Sequence, residues 1–239
     1  MNFADLKYLS FEIAPYCNMA SRHPFCPVND VKRYPDHEHH YWRCSDHSIL
    51  SFTAKVFERG FNGLIGFHYY CDPLMDVPRM LSLMNRIRGS IPKSKFILWS
   101  NGVLLRQDHR NWLEAFEKVV FTLHDTSIEE KLREITKDLP NVEIAQPAYD
   151  DRINIYTCPG RVTGPCIRPS KIELPVNYYG SVRLCCADFR GSVSLGNIEE
   201  EDFDKILDGF AEAADMAMYG GIPICRKCRS LHTNPAAVV

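Results

Sequence analysis

Residues 64–99 read LIGFHYYCDPLMDVPRMLSLMNRIRGSIPKSKFILW. The stretch opens on a short apolar run, residues 64–67, that is typical of a buried strand. Apolar residues then recur at the spacing of one helix face, at Val77, Leu81, Met84 and Ile87. A second apolar run follows at residues 96–99. A strand, a helix and a strand in this order predict two parallel strands joined by a right-handed crossover.

The same alternation continues on both sides of this unit. Further strands are predicted at residues 8–13, 119–123 and 142–145. Helices are predicted at residues 49–57, near residues 111–118, and after a capping box formed by Ser127 and Glu130. The sequence therefore predicts an α/β fold with a mostly parallel sheet. Reactive side chains are expected at the carboxyl ends of its strands.

The pattern changes after about residue 158. Short strands near residues 171–174 and 182–184 predict a hairpin that turns at Tyr179 and Gly180. A helix is predicted from about residue 201 to residue 219, with Gly220 and Gly221 at its end. We therefore divide the chain into a larger part, residues 1–157, and a smaller part, residues 158–239.

The composition narrows the class of protein. A net charge of −2 favours neither nucleic acid nor anionic lipid as a partner. No apolar run approaches the ~18 residues of a membrane span. The first residues lack the pattern of a signal peptide, so we expect a cytoplasmic protein. In that compartment, ten cysteines are expected to be reduced and to serve as ligands rather than disulfides.

Four cysteines of the smaller part have the spacing of a ligand set. Cys166, Gly180 and Cys185 follow the pattern C-x13-G-x4-C, and Cys225 and Cys228 form a C-x2-C pair. Four thiolates can bind an iron–sulfur cluster, or zinc as the alternative. Neighbouring residues of a strand face opposite ways, so one of Cys185 and Cys186 is expected to serve, and the spacing favours Cys185.

Several segments together resemble the radical S-adenosylmethionine (SAM) family. The segments FEIAPYCN (11–18) and RHPFCP (22–27) resemble its C-x3-C-x2-C cluster loop after the first strand. GFHYYCDPL (66–74) resembles its Gly-Gly-Glu-Pro segment, and WSNG (99–102) resembles its Thr-Asn-Gly segment. The C-terminal cysteines are similar to the auxiliary-cluster modules called SPASM and twitch. No cysteine follows Cys228, so the single-cluster twitch form fits better.

The resemblance implies an incomplete parallel (β/α) barrel of about five to six strands with a small hairpin-plus-helix auxiliary-cluster module. It also implies SAM and two 4Fe–4S clusters as cofactors. The first cluster would bind Cys17 and Cys26, with either His23 or Cys44 as the third ligand, because the middle cysteine of the motif is missing. His23 is favoured by position and Cys44 by its thiolate chemistry. The auxiliary cluster would bind Cys166, Cys185, Cys225 and Cys228.

The resemblance places further candidate residues at the ends of strands. The contacts to SAM would come from Tyr70, Cys71, Asp72, Ser100, Asn101, His124 and Arg152. His124 and Tyr149 are the candidates for a catalytic role.

The implied activity is formation of a 5′-deoxyadenosyl radical that abstracts hydrogen from a small substrate. The expected substrate is a sugar-, nucleoside- or nucleotide-type metabolite, as in antibiotic biosynthesis, and the electron donor a flavodoxin or ferredoxin. The auxiliary cluster would accept an electron in a dehydrogenation, or donate sulfur, as in the biosynthesis of thiosugar nucleoside antibiotics. The alternatives are a peptide-modifying radical SAM maturase and a non-catalytic zinc or iron–sulfur protein.

Overall fold

The structure is a computed structural model, and it describes residues 1–24, 26–30, 43–146, 166 and 172–228. Six strands form one sheet in this part of the chain, and every pair of neighbours in it is parallel. The strands are β1 (Tyr8–Phe11), β2 (Leu64–Gly66), β3 (Lys95–Ser100), β4 (Lys118–Thr122), β5 (Val142–Ala145) and β6 (Glu173–Val176). Their order is β5-β4-β3-β2-β1-β6. The prediction of an α/β fold with a partial parallel barrel of five to six strands is confirmed.

Five α-helices accompany the strands in the described residues. They are α1 (Asp46–Glu58), α2 (Val77–Ser90), α3 (Arg110–Leu113), α4 (Glu129–Ile135) and α5 (Phe203–Met218). Short 3-10 helices occupy several loops, at Phe3–Asp5, Ala20–Arg22, Pro27–Asn29, Pro73–Asp76, Gln107–His109, Thr126–Ile128 and Cys225–Lys227. No helix in the described ranges combines the length and the apolar character needed to cross a membrane.

Three predicted elements differ from the structure. The helix expected near residues 111–118 ends at Leu113, because the chain is already extended in β4 from Lys118. The prediction of a capping box at Ser127 and Glu130 is wrong. Instead, the Asp125 side chain accepts a hydrogen bond from the Ser127 N–H at 3.0 Å, and α4 begins only at Glu129.

The third difference concerns the hairpin of the smaller part. Its first strand is β6, which pairs in parallel with β1, so it belongs to the main sheet. The hairpin itself is reduced to an antiparallel bridge between Val176 and Val182. The turn is at Gly180, as predicted, and its φ of 88° is one that glycine adopts without strain. The two parts of the chain therefore share one sheet.

The hydrophobic core lies between the sheet and its helices. Alternate strand residues are fully buried on the helix-facing side, at Leu9, Ile65, Phe96, Phe121 and Leu174. The ring centroids of Phe67 and Phe96 stack at 6.1 Å. The other face is more polar and carries the buried Ser10 and the partly exposed Trp99. One face of the sheet is thus buried in the core. The opposite face and the strand ends can carry functional side chains.

Candidate functional site

Loops from the carboxyl ends of β1 and β3 meet at one edge of the sheet. The loop after β1 carries Cys17 and Cys26, and the Asn29 side chain closes it by donating to the carbonyls of Ala20 and His23 at 2.8 and 2.7 Å. Asn18 and Asn101 join this loop to the end of β3, because the Asn101 Nδ2 lies 2.8 Å from the Asn18 Oδ1. We call residues 17–26 the cluster loop.

Cys17 lies half-buried in the cluster loop. Its Sγ accepts a hydrogen bond from the Met19 N–H at 3.4 Å and lies 3.6 Å from the Asn101 Nδ2. Burial raises the pKa of the thiol to about 11, and the negative charges of Asp72 and Cys26 add to this effect. Cys26 is thus close enough to Cys17 for their charges to interact. Metal binding requires the thiolate, so a cation at this site would displace the proton.

Asp72 connects the loop after β2 to the end of β3. Its buried carboxylate accepts hydrogen bonds from the Leu74 N–H at 2.9 Å, from the Ser100 hydroxyl at 2.9 and 3.0 Å, and from the Asn101 N–H at 2.7 Å. Burial raises the pKa of Asp72, while these donors oppose the rise. Both carboxylate oxygens are engaged with the protein, so Asp72 acts as a brace between two loops.

His23 lies at the end of the 3-10 helix Ala20–Arg22. Its ring packs edge-on against His124, with the centroids 4.1 Å apart. The neighbouring Arg22 forms an ion pair with Asp125. The structure therefore brings the cluster loop against the end of β4, where His124 was expected to face the site.

Cys44 has a different environment. Its thiol is buried and lies 3.2 Å from the Glu199 Oε1, and its N–H donates to the Tyr178 carbonyl at 2.8 Å. Burial, followed by the Glu199 carboxylate, raises its pKa strongly. The Arg79 guanidinium donates to the Cys44 carbonyl at 2.5 Å. These contacts place Cys44 between α2 and the C-terminal hairpin.

The loop after β2 also reaches the smaller part of the chain. The Tyr69 hydroxyl donates to the Cys185 carbonyl at 3.0 Å, and the Tyr70 hydroxyl donates to the Cys186 carbonyl. Cys71, the next residue, is buried, and its thiol lies 3.6 Å from the Phe67 carbonyl. Tyr70 and Cys71 were expected to contact SAM. The loop that carries them therefore also contacts the backbone of the predicted auxiliary site.

Electrostatic interactions connect the four C-terminal cysteines in a chain. Burial, together with the charges of Cys166 and Cys228, raises the pKa of Cys225 to about 12. Burial also raises the pKa of Cys185 well above its usual value, with contributions from Cys186 and Cys166. Cys166 thus interacts with both Cys185 and Cys225, and Cys225 also interacts with Cys228. In the described residues, no three His, Cys, Asp or Glu side chains are arranged to hold a single metal ion.

Two predicted site residues have no described position, and two residues near the site were not predicted from the sequence. The candidates Tyr149 and Arg152 fall outside the described residues. Sequence reasoning missed Tyr69 and Glu199. The Tyr69–Tyr70 pair in a loop at a strand end is a signal for the former, whereas the contact of Glu199 with Cys44 spans 155 positions and has no local signal.

One family model matches most of the smaller part of the chain. Residues 166–229 match the SPASM family, described as an iron-sulfur cluster-binding domain. The prediction of a SPASM- or twitch-like module is confirmed. The match begins at the first and ends just after the last of the four proposed ligands.

Two solved structures share the fold over nearly the whole chain. One is BtrN in complex with AdoMet and 2-DOIA, with a TM-score of 0.70 and 21% identity over 93% of this chain and 92% of that chain. The other is selenomethionine BtrN in an open conformation, with a TM-score of 0.66 and 20% identity over the same shares. The chain has the fold of BtrN. The predicted resemblance to the radical SAM fold is thereby confirmed. No curated protein shows significant sequence similarity to the chain.

Proposed function

We propose that this protein is a radical SAM enzyme that abstracts hydrogen from a small carbohydrate- or nucleoside-type metabolite. The observation that carries the proposal is the meeting of the cluster loop with the Asp72–Asn101 brace at the carboxyl edge of a BtrN-like sheet. The relative in complex with AdoMet and 2-DOIA supports both the cofactor and a small substrate.

The donor chemistry of the site fits the first cofactor. Cys17 and Cys26 supply two thiols, and a third protein ligand leaves one iron of a 4Fe–4S cluster open for SAM. When bound, the cluster and SAM together supply an electron and a 5′-deoxyadenosyl radical. The protein supplies the geometry, through the buried hydrogen bond between Ser100 and Asp72.

His23 is the third protein ligand in this proposal. It belongs to the same short loop as Cys17 and Cys26, and Asn29 binds its carbonyl to fix the backbone there. The Cys44 thiol is instead buried against Glu199. An imidazole ligand raises the potential of a cluster relative to thiolate, so we expect a cluster that is easier to reduce than one with three thiolates.

The carbonyls of Tyr70 and Cys71, rather than the Asp72 side chain, would hold the amino group of SAM. The Asp72 oxygens already accept hydrogen bonds from Leu74, Ser100 and Asn101. Its role is to hold the loop after β2 at the correct distance from the end of β3. His124 faces the same edge from β4 and is the described candidate for contact with substrate.

The auxiliary site supports dehydrogenation as the reaction. Cys166, Cys185, Cys225 and Cys228 offer four thiolates, and complete ligation protects a cluster from losing sulfide. These four cysteines would hold a cluster able to accept one electron, so that a carbinol which has lost a hydrogen atom would pass its second electron there and its proton to solvent. The product is a ketone.

Anaerobic reconstitution tests the proposal. We expect about eight irons per chain and formation of 5′-deoxyadenosine when SAM and a strong reductant are added. Screening sugars, aminocyclitols, nucleosides and nucleotides for stimulated SAM cleavage and for a product two mass units lighter identifies the substrate. A product that contains an additional sulfur atom would show that the reaction is sulfur insertion and not dehydrogenation. Zinc without iron would overturn both enzymatic readings, and turnover of a peptide would favour the maturase.

A further inference from the structure

Two adjacent tyrosines connect the proposed SAM-binding loop with the auxiliary cysteines. Tyr69 and Tyr70 follow β2, and their hydroxyls donate to the carbonyls of Cys185 and Cys186. Both side chains are buried, and their ring centroids lie 4.0 Å apart. We call this pair the tyrosine strut.

The packing around the strut makes it rigid. The Tyr70 ring meets Phe189 edge-on at 6.4 Å, and Cys186 packs against the same small hydrophobic cluster. This cluster is separate from the main core. A buried tyrosine hydroxyl that loses its acceptor carries a desolvation penalty, so each hydroxyl holds its carbonyl in place.

The strut continues toward the first cluster site through side chains already described. Asp72 lies two residues after Tyr70 and accepts the Asn101 N–H at 2.7 Å. The Asn101 Nδ2 in turn lies 3.6 Å from the Cys17 Sγ. Contacts therefore run from one proposed cluster ligand, through the loop after β2, to the backbone of another.

We propose that the tyrosine strut couples SAM binding at the first site to ordering of the auxiliary-cluster loop at residues 185–186. The inference rests on the proposed function. An auxiliary cluster that fixes this loop also fixes the two tyrosines, and with them the carbonyls of Tyr70 and Cys71 that hold SAM. Coupling is reciprocal, so SAM also stabilises the auxiliary-cluster loop. Tyr69 and Tyr70 are thus positioning residues.

The test combines removal of the strut with removal of the auxiliary cluster. Four reconstituted proteins are compared: wild type, Tyr69→Phe/Tyr70→Phe, Cys225→Ser/Cys228→Ser and the combination of all four changes. The dissociation constant of SAM is measured anaerobically by equilibrium dialysis. We expect loss of the auxiliary cysteines to weaken SAM binding at least about fivefold when the tyrosines are present, and less than about twofold when they are phenylalanine.

A second measurement reports on the auxiliary-cluster loop directly. Hydrogen exchange of residues 181–190 should slow when SAM is added to wild type, and should not respond in Tyr69→Phe/Tyr70→Phe. Tyr219→Phe is the matched control, because Tyr219 is 74% exposed at the end of α5, and it should behave as wild type. The single variants Tyr69→Phe and Tyr70→Phe each keep one of the two hydroxyls and serve if the double variant does not fold.

The outcomes separate this inference from the proposed function. Equal weakening of SAM binding with and without the tyrosine hydroxyls, or no weakening at all, overturns the coupling while SAM binding itself stands. A wild-type protein that carries iron but binds no SAM overturns both.

Discussion

At the scale of single residues, His23 and Cys44 differ in their exposure. His23 is partly exposed in the cluster loop, whereas Cys44 is buried against Glu199. We predict that His23→Ala loses the first cluster, so iron falls from about eight to about four per chain, while Cys44→Ala retains it. Cys44→Ala should instead lower the free energy of unfolding by about 1–3 kcal/mol, because a buried side chain that contacts Glu199 is truncated. Iron analysis and denaturant titration measure the two effects.

His47→Ala is the control for His23→Ala, since His47 is exposed on α1. Loss of four irons on Cys44→Ala, with His23→Ala unaffected, would reverse the assignment of the third ligand.

His68 determines part of the pH dependence of stability. Burial lowers the pKa of His68 to about 4, and its Nδ1 has no hydrogen-bond partner. The unfolded chain binds a proton near pH 6.5 and the folded chain does not, so stability is lost as the pH falls below 6.5. We predict that His68 lowers the free energy of unfolding by up to about 2 kcal/mol at pH 5 relative to pH 7.5. His68→Phe should remove that loss.

The measurement is the difference in unfolding free energy between His68→Phe and wild type at the two pH values. Other titrating groups cancel in this difference. An equal difference at pH 5 and pH 7.5 would show that the ring is protonated at no cost.

At the scale of elements, α5 joins the auxiliary site to the main core. Phe210 is fully buried, and the Met218 carbonyl at its end accepts the Cys166 N–H at 2.8 Å. We predict that Phe210→Ala lowers the free energy of unfolding by about 3–5 kcal/mol. It should also reduce auxiliary iron, because α5 no longer fixes Cys166.

Asp208→Ala is the matched control on the same helix. Its exposed carboxylate pairs with Arg59 at 2.9 Å, and such pairs contribute about 0–1 kcal/mol. Auxiliary iron that is unchanged in Phe210→Ala would show that Cys166 is positioned without α5.

The elements also show which features the sequence can predict. Strands such as β3 and helices such as α2 follow from periodicity, because one face of each is buried. The Ser127 capping box failed because Asp125, two residues earlier, offers a competing acceptor. The cysteine sets were visible from spacing. The tyrosine strut was not, since Tyr69 and Cys185 are 116 positions apart and only the fold brings them together.

At the scale of the whole molecule, the larger and the smaller part of the chain contribute strands to one sheet. β6 extends the main sheet through β1, and Gly180 lies in the turn between β6 and Cys185. A carbon atom added at Gly180 would approach the Asn197 Oδ1 to 2.7 Å, so the turn packs closely against the following loop. The auxiliary site is therefore held by the sheet that carries the first site.

This arrangement predicts what happens when the auxiliary site alone is removed. Cys225→Ser/Cys228→Ser should lose about four irons and keep the first cluster, because the cluster loop draws its ligands from residues 17–26. At saturating SAM, 5′-deoxyadenosine should still form. The oxidised product should fall at least about tenfold, because the substrate radical has lost its electron acceptor. Parallel quantification of 5′-deoxyadenosine and product measures this uncoupling, and Tyr219→Phe, at the exposed end of α5, is the control. Product that remains stoichiometric with 5′-deoxyadenosine would mean that the second electron leaves the substrate by another route.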